Sequence, residues 1–127
     1  MNQPDVKRIL LVDDEAFTLD LLKLALPVAH YQLDYVNSAT EALSAVFDLQ
    51  PDVVLLDVVM PGLSGLDVCR LIKHTPETAH IPIIMLSGLD SQADVDEANA
   101  VGACGYIVKP FNIADLQWQI ESHLHYA

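Results

Sequence analysis

The chain has 127 residues and a mass of 13.9 kDa, enough for one domain with a proper core. Apolar residues make up 52% of it and the mean hydropathy is +0.31, yet no apolar run approaches the roughly 20 residues that a membrane helix needs, so the hydrophobicity is assigned to buried parallel strands. A net charge of −12 argues against nucleic acid as a direct partner of this domain.

Asn2-Gln3-Pro4-Asp5 open the chain with polar residues, so no signal peptide is read there. Lys7 to Val12 is expected as a first strand, followed at once by Asp13-Asp14-Glu15. From Glu15 to about Ala29 the pattern is helical. Leu22, Ala25 and Leu26 form one stripe, and Phe17, Leu21, Leu24 and Val28 form a second. A helix apolar around most of its circumference is expected between the sheet and a neighbouring helix; partner docking on part of it is the other reading. Pro27 removes one helical hydrogen bond and is expected to kink the helix or end it early.

Gln32 to Val36 alternates as a second strand, and Ser38 or Thr40 can cap a helix running to about Leu49. Asp52 to Asp57, an acid, four aliphatics and an acid again, suits a strand covered on both faces in a parallel sheet. Met60-Pro61-Gly62 then turns the chain sharply, so Asp57 is expected to project into a loop-lined crevice. Ser64-Gly65 starts a helix through about His74, and Thr75 to His80 is a loop. Ile81 to Ser87 is the fourth strand, with Pro82 tolerable at its start. Asp90 or Ser91 caps a small acidic helix to about Val101. Gly105 to Val108 is a short fifth strand, and Phe111-Asn112 lead into a last helix with the stripe Ile113, Leu116, Ile120 and Leu124.

Five alternations of strand and helix, with no repeat or linker, predict an α/β three-layer sandwich around a five-stranded parallel sheet with five helices. The flavodoxin-like order 2-1-3-4-5 sets strand 1 beside strand 3 and so brings Asp13, Asp14 and Asp57 to one crevice. Alone, Asp57 reads as a strand-capping acid before a turn. A second acidic site at an equivalent strand end changes that reading, because ligands of open parallel sheets bind at the carboxyl ends of the strands.

Three carboxylates within about 5 Å repel by roughly 3 kcal/mol per pair at an effective dielectric of about 20. A fold gathers them only with a compensating cation, and oxygen ligands in a loop-lined site suit a hard ion such as Mg²⁺. Lys109 ends the fifth strand and is the only Lys or Arg after Lys73. Ser87 ends the fourth strand and offers a hydroxyl. Four strand ends thus deliver an acid pair, an acid, a hydroxyl and an ammonium.

Asp13-Asp14, Asp57 with Met60-Pro61 and Gly65, Ser87, Tyr106 and Lys109-Pro110-Phe111 together resemble the receiver domain of two-component response regulators, over nearly the whole chain. The resemblance implies a single receiver domain over residues 1–127 in which Asp57 accepts a phosphoryl group from a phosphohistidine donor. It implies that Asp13, Asp14 and the Val59 carbonyl hold Mg²⁺ alongside Asp57. Lys109 would pair with the phosphoryl oxygens and Ser87 would bond one of them after transfer. The Lys109-Pro110 peptide would be cis. Tyr106 would swing inward behind Ser87 and re-form the surface of the fourth helix, fifth strand and fifth helix, unless it is an ordinary half-buried strand aromatic. The partners implied are a histidine kinase or histidine phosphotransfer protein upstream, and downstream a protein or an output domain in a longer chain. A homodimer is a further option.

Local residues refine that expectation. Ser87 stands where Thr is commoner, and Gly88 follows where Ala is frequent, which loosens the loop. Val59 and Leu89, two residues beyond Asp57 and Ser87, cannot orient an attacking water, so slow self-dephosphorylation is expected. Cys104-Gly105 lies where winged-helix DNA-binding relatives often carry acids, and the fourth and fifth helices lack Lys and Arg, so the reciprocal salt-bridge dimer of those relatives is not expected. Trp118 lies off its helix's apolar stripe and reads as partly buried against a neighbour, with a partner or self-association hot spot as the alternative. The cysteines, Cys69 and Cys104, match no metal spacing and are expected as reduced thiols in the cytoplasm. The histidines, His30, His74, His80, His123 and His125, are expected to be solvated.

Three other readings compete. A haloacid-dehalogenase-like phosphohydrolase needs an acid two residues after its nucleophile, where this chain has Val59. A nucleotide- or flavin-binding domain wants glycines after the first strand, where Asp13-Asp14-Glu15 would repel phosphate. A pseudo-receiver would have lost an acid or the lysine.

Overall fold

The computed structural model describes residues 6–27 and 29–124. Its strands are β1 (Lys7–Val12), β2 (Tyr31–Val36), β3 (Val53–Asp57), β4 (Ile83–Ser87) and β5 (Gly105–Val108). They alternate with α1 (Ala16–Ala25), α2 (Ala39–Leu49), α3 (Gly65–His74), α4 (Gln92–Ala100) and α5 (Ile113–His123). Every pairing is parallel and the order is β2-β1-β3-β4-β5, as expected.

Successive strand residues point to opposite faces of a sheet, and here both faces are apolar. Leu10, Val12, Val54, Leu56, Ile83 and Met85 meet Val46, Val68, Ile72 and Ala98 from α2, α3 and α4. Ile9, Leu11, Val53, Leu55, Ile84 and Leu86 meet Leu22, Ala25, Leu116 and Ile120 from α1 and α5. Three layers result, which is why the central strands are unbroken aliphatic runs. Each aliphatic side chain buried this way contributes about 1.5–3 kcal/mol.

Local chemistry places the ends of the elements. Pro27 pushes Leu26 into an extended conformation (φ −115°, ψ 130°), so α1 stops at Ala25 rather than near Ala29. Pro82 has no N–H to donate, and β4 begins only after it, at Ile83. Ser64 caps α3, Ser91 rather than Asp90 caps α4 in a capping box with Asp94, and Asn112 caps α5. Ser38 stands at the N-cap of α2 without making a cap bond; its hydroxyl meets that of Thr40 at 3.2 Å.

Among the described residues, the second stripe of α1 is not fully buried. Phe17 is 66% and Leu24 75% exposed, and Leu21 is half-buried, because α1 lies on the sheet with α5 as its helical neighbour and its outer side uncovered. Ile113, in the first turn of α5, is also exposed, whereas Leu116, Ile120 and Leu124 are buried. Val28, His125 and the Asn2 to Asp5 segment lie outside the described residues. Of the described helices, none is long and apolar enough to cross a membrane.

Fixed bonds tie the amino end of the sheet together. Asp52 accepts the Arg8 backbone N–H at 2.7 Å and the Arg8 guanidinium donates to the Leu49 carbonyl at 3.1 Å. Lys73 Nζ donates to the carbonyls of Ala79 (3.1 Å) and Ile81 (2.6 Å), and the buried Thr78 hydroxyl donates to that of Ile72 (2.8 Å).

Candidate functional site

Strand register builds the site at the other end. Val12 lies abreast of Leu56, so Asp13 and Asp57 follow at one level. Asp57 lies abreast of Leu86 and Ser87 abreast of Val108, with Lys109 next along the chain. Lys109 Nζ is 2.7 Å from Asp13 Oδ2 and 3.3 Å from Asp57 Oδ2. Asp13, Asp57 and Ser87 are buried and Asp14 is exposed. The Lys109-Pro110 peptide bond is cis, in line with the resemblance.

Backbone donors aim the acids. Asp13 Oδ1 accepts the Glu15 N–H at 2.9 Å, and Asp57 Oδ1 accepts that of Val59 at 3.0 Å. The turn after β3 uses Gly62 at φ +85°, a conformation that favours glycine. Gly65, the first residue of α3, donates its N–H to the Val58 carbonyl at 2.8 Å; a Cβ at this position would collide with the Asp57 carbonyl. Ser87 Oγ accepts the Leu89 N–H at 3.0 Å, and the Leu89 carbonyl accepts the Tyr106 hydroxyl at 2.7 Å. Tyr106 is half-buried, its ring packed against the core on the α4 side.

Two contributors were not read from the sequence. The Thr18 hydroxyl hydrogen-bonds the Asp13 carboxylate from the buried face of α1. A polar residue in line with Leu22 and Ala25 was the available signal. The Tyr35 hydroxyl, from β2, donates to the Asp13 carbonyl at 2.8 Å, and nothing in its local sequence marks it.

The two buried carboxylates respond differently to one ammonium. Burial pushes Asp57 up to about 6; Lys109 and the Val59 N–H oppose the rise, and the neighbouring Asp13 adds to it. Burial also raises Asp13, but the closer Lys109, the Glu15 N–H and Thr18 outweigh it and hold that carboxyl below its ordinary value. For Lys109, burial disfavours the charge, and Asp13 and Asp57 together restore it and carry its pKa above the ordinary value.

One carboxylate oxygen from each of Asp13, Asp14 and Asp57 lies within 4.8 Å of the others. Three carboxylates and one ammonium leave two negative charges in excess. An all-oxygen donor set with that excess fits a hard divalent cation. The cleft over these groups has a volume of about 530 Å³ and is walled by Phe17, Leu21, Val59, Pro110 and Phe111.

Trp118 stands outside this cluster and is 67% exposed, which corrects the expected partial burial. It lines a separate groove of about 390 Å³ with Tyr106, Val108, Asn112, Asp115 and Gln119. Both cysteines are free thiols, Cys69 buried and Cys104 exposed. His30, His74 and His80 are exposed as expected, whereas His123 is half-buried beside Gly105.

Residues 9–121 match the family model of the response regulator receiver domain. The DNA-binding response regulator MtrA of Mycobacterium tuberculosis is 36% identical over 118 residues, covering 93% of this chain and 50% of that protein. The chain thus spans about half the length of that curated relative. Among solved structures, a putative response regulator from Chloroflexus aurantiacus aligns with a TM-score of 0.87 at 28% identity, over 94% of this chain and 98% of that one. The chemotaxis response regulator CheY4 of Vibrio cholerae aligns with a TM-score of 0.86 at 29% identity, over 94% and 99% of the two chains. Fold, strand-end chemistry and sequence agree, and the chain belongs to the receiver domain family of two-component response regulators.

Proposed function

We propose that this chain is a single receiver unit over residues 1–127, working in the cytoplasm, in which Asp57 takes a phosphoryl group from a histidine kinase or a histidine phosphotransfer protein. Receivers as a family are phosphoacceptors in signalling rather than classical enzymes, and aspartyl phosphorylation and Mg²⁺ binding are general among them. The observation that carries the assignment to these residues is the convergence of Asp13, Asp14, Asp57 and Lys109 in one hollow.

Asp57 Oδ1 is held by Val59, which leaves its second oxygen toward the Lys109 side. In the transfer, a carboxylate oxygen of Asp57 forms a bond to phosphorus as the phosphorus–nitrogen bond of the donor imidazole breaks, and the electron pair leaves with the imidazole nitrogen. The transition state is loose, so positioning and charge neutralisation supply most of the catalysis. Asp13, Asp14, Asp57 and the Val59 carbonyl would hold Mg²⁺, which when bound offsets repulsion between the acids and the incoming oxyanions. The Lys109 ammonium pairs with the arriving phosphoryl oxygens. Ser87 donates its hydroxyl to one of them after transfer.

The outward signal follows from the Ser87 bonds. Moving Ser87 toward the phosphoryl group draws on the Leu89 N–H, and the Leu89 carbonyl in turn holds the Tyr106 hydroxyl. Tyr106 thereby couples Asp57 to the surface formed by α4, β5 and α5, including Trp118. The reader of that surface is a separate protein or an output domain in a longer chain. Val59 and Leu89 place apolar side chains near the acyl phosphate, so self-dephosphorylation is slow.

Incubation with Mg²⁺ and acetyl phosphate or phosphoramidate, followed by intact mass, tests the assignment. A one-phosphoryl increment on wild type and none on Asp57→Asn is expected. An unchanged increment on Asp57→Asn refutes the assignment, and steady turnover of phosphate esters would indicate a phosphohydrolase instead.

A further inference from the structure

We propose that the groove beside β5, between Trp118 and Tyr106, receives a cationic amphipathic segment of a separate partner protein. The proposal rests on the reading of the α4, β5 and α5 surface as the output face and names the chemistry of what that face recognises.

Apolar surface supplies the anchor point. Trp118 is the chain's single tryptophan and leaves most of its ring in water. Val108, on the strand floor of the same groove, is also exposed. Exposed aromatic rings of this kind are where binding energy concentrates in protein interfaces. A groove of about 390 Å³ has room for side chains of an apolar helix face or strand.

Charge selects the occupant. From residue 90 onward the chain carries Asp90, Asp94, Asp96, Glu97, Asp115 and Glu121 against a single Lys or Arg, Lys109. That lysine is committed to Asp13 and Asp57 inside the phosphoacceptor site. The partners of the acids are neutral: Ser91 for Asp94, Gln92 for Asp96, Asn112 for Asp115 and Gln117 for Glu121. Their negative charge is therefore uncompensated within the described residues. Asp115 itself lines the groove.

A second copy of the chain is the wrong occupant, because a two-fold interface sets the same patch against itself. Acid would then face acid, with no Lys or Arg on either copy's α4, β5 or α5 to relieve it. A nucleic acid fails for the same reason. A basic segment with an apolar stripe satisfies both the exposed ring and the surrounding field.

The sole tryptophan makes the groove its own reporter. The probe is a synthetic, tryptophan-free helical peptide of Leu and Lys, with a Leu and Glu counterpart as control. Saturable change in Trp118 emission with the Lys peptide, weakening with added salt, and none with the Glu peptide, is expected. Neutralising the acid that lines the groove together with one on α4, Asp115→Asn with Asp96→Asn, should weaken binding about tenfold. Neutralising two acids on α2, Glu41→Gln with Asp48→Asn, changes net charge equally and should leave the affinity within about twofold. Equal losses in both pairs would mean adhesion to net charge alone and would overturn the proposal. So would self-association of the wild type that Trp118→Ala abolishes. Far-UV circular dichroism verifies that each variant is folded. The phosphoryl mass increment is measured on the same samples: groove binding without the increment refutes the phosphoacceptor reading, and the increment without groove binding refutes only this one.

Discussion

Asp57→Asn should stabilise the metal-free protein at neutral pH, because asparagine is spared the cost of ionising a buried carboxyl whose pKa the fold raises to about 6. Burial raises Asp57 from 3.8 to about 6 despite the nearby Lys109. A group raised in the folded state favours folding fully below its unfolded value, near pH 4, and loses that contribution as pH climbs through about 6. The shift corresponds to a ceiling of about 3 kcal/mol at pH 7, shrinking to under about 1 kcal/mol at pH 4. Urea unfolding of wild type and variant in EDTA, at steps from pH 4 to pH 7.5, measures the difference directly. The variant should gain on the wild type as pH rises, with most of the change between pH 4 and pH 6. Saturating Mg²⁺ should then narrow or reverse the gap, since ligand binding to the native wild type adds stability that the variant, lacking one ligand, cannot match. A difference that is flat with pH, or an asparagine variant less stable than wild type at pH 7 in EDTA, would refute the idea that ionising Asp57 costs the fold stability.

Other consequences are as concrete. Gly65→Ala should cost at least about 2 kcal/mol in stability and weaken Mg²⁺ binding, because the added carbon meets backbone of Asp57 and Val58 that cannot step aside; unfolding curves and a Mg²⁺ titration check it. Lys109→Met leaves the buried Asp13 and Asp57 without their cation and should destabilise the EDTA form by about 2–4 kcal/mol, with part of the loss restored by Mg²⁺. Val59→Asn or Leu89→Glu should speed decay of the acyl phosphate relative to wild type, as followed by intact mass; unchanged decay in both would remove these side chains from any role in lifetime. In the native protein a thiol reagent should modify Cys104 while sparing Cys69, which is fully buried and whose thiol burial pushes up to about 11.

Much of the site was legible because a parallel sheet turns sequence order into spatial order. Once Val12, Asp57, Ser87 and Val108 are read as strand ends, register alone brings Asp13, Asp57, Ser87 and Lys109 to one edge. What escaped the sequence was coverage. Periodicity put Phe17, Leu21 and Leu24 on one face of α1, but periodicity is silent on whether a neighbour covers that face, and among the described residues Phe17 and Leu24 stay exposed. The same gap explains Trp118: its angle on α5 was legible and its exposure was not. Tyr35 reaches Asp13 through its hydroxyl across the β1–β2 pair, a long-range bond that no local pattern announces. Thr18 was closer to legible, as a lone hydroxyl on an otherwise greasy stripe.

The fastenings around Arg8, Lys73 and Thr78 give the molecule a clamped base and a working tip. Strand starts are anchored by side chains that grip carbonyls, so strain introduced at Asp57 has little compliance available in that direction. In the proposed switch, displacement propagates sideways instead, through the short tether from Ser87 by way of Leu89 to Tyr106. On that proposal the domain works like a cantilever, held at its root, whose deflection is read at one corner.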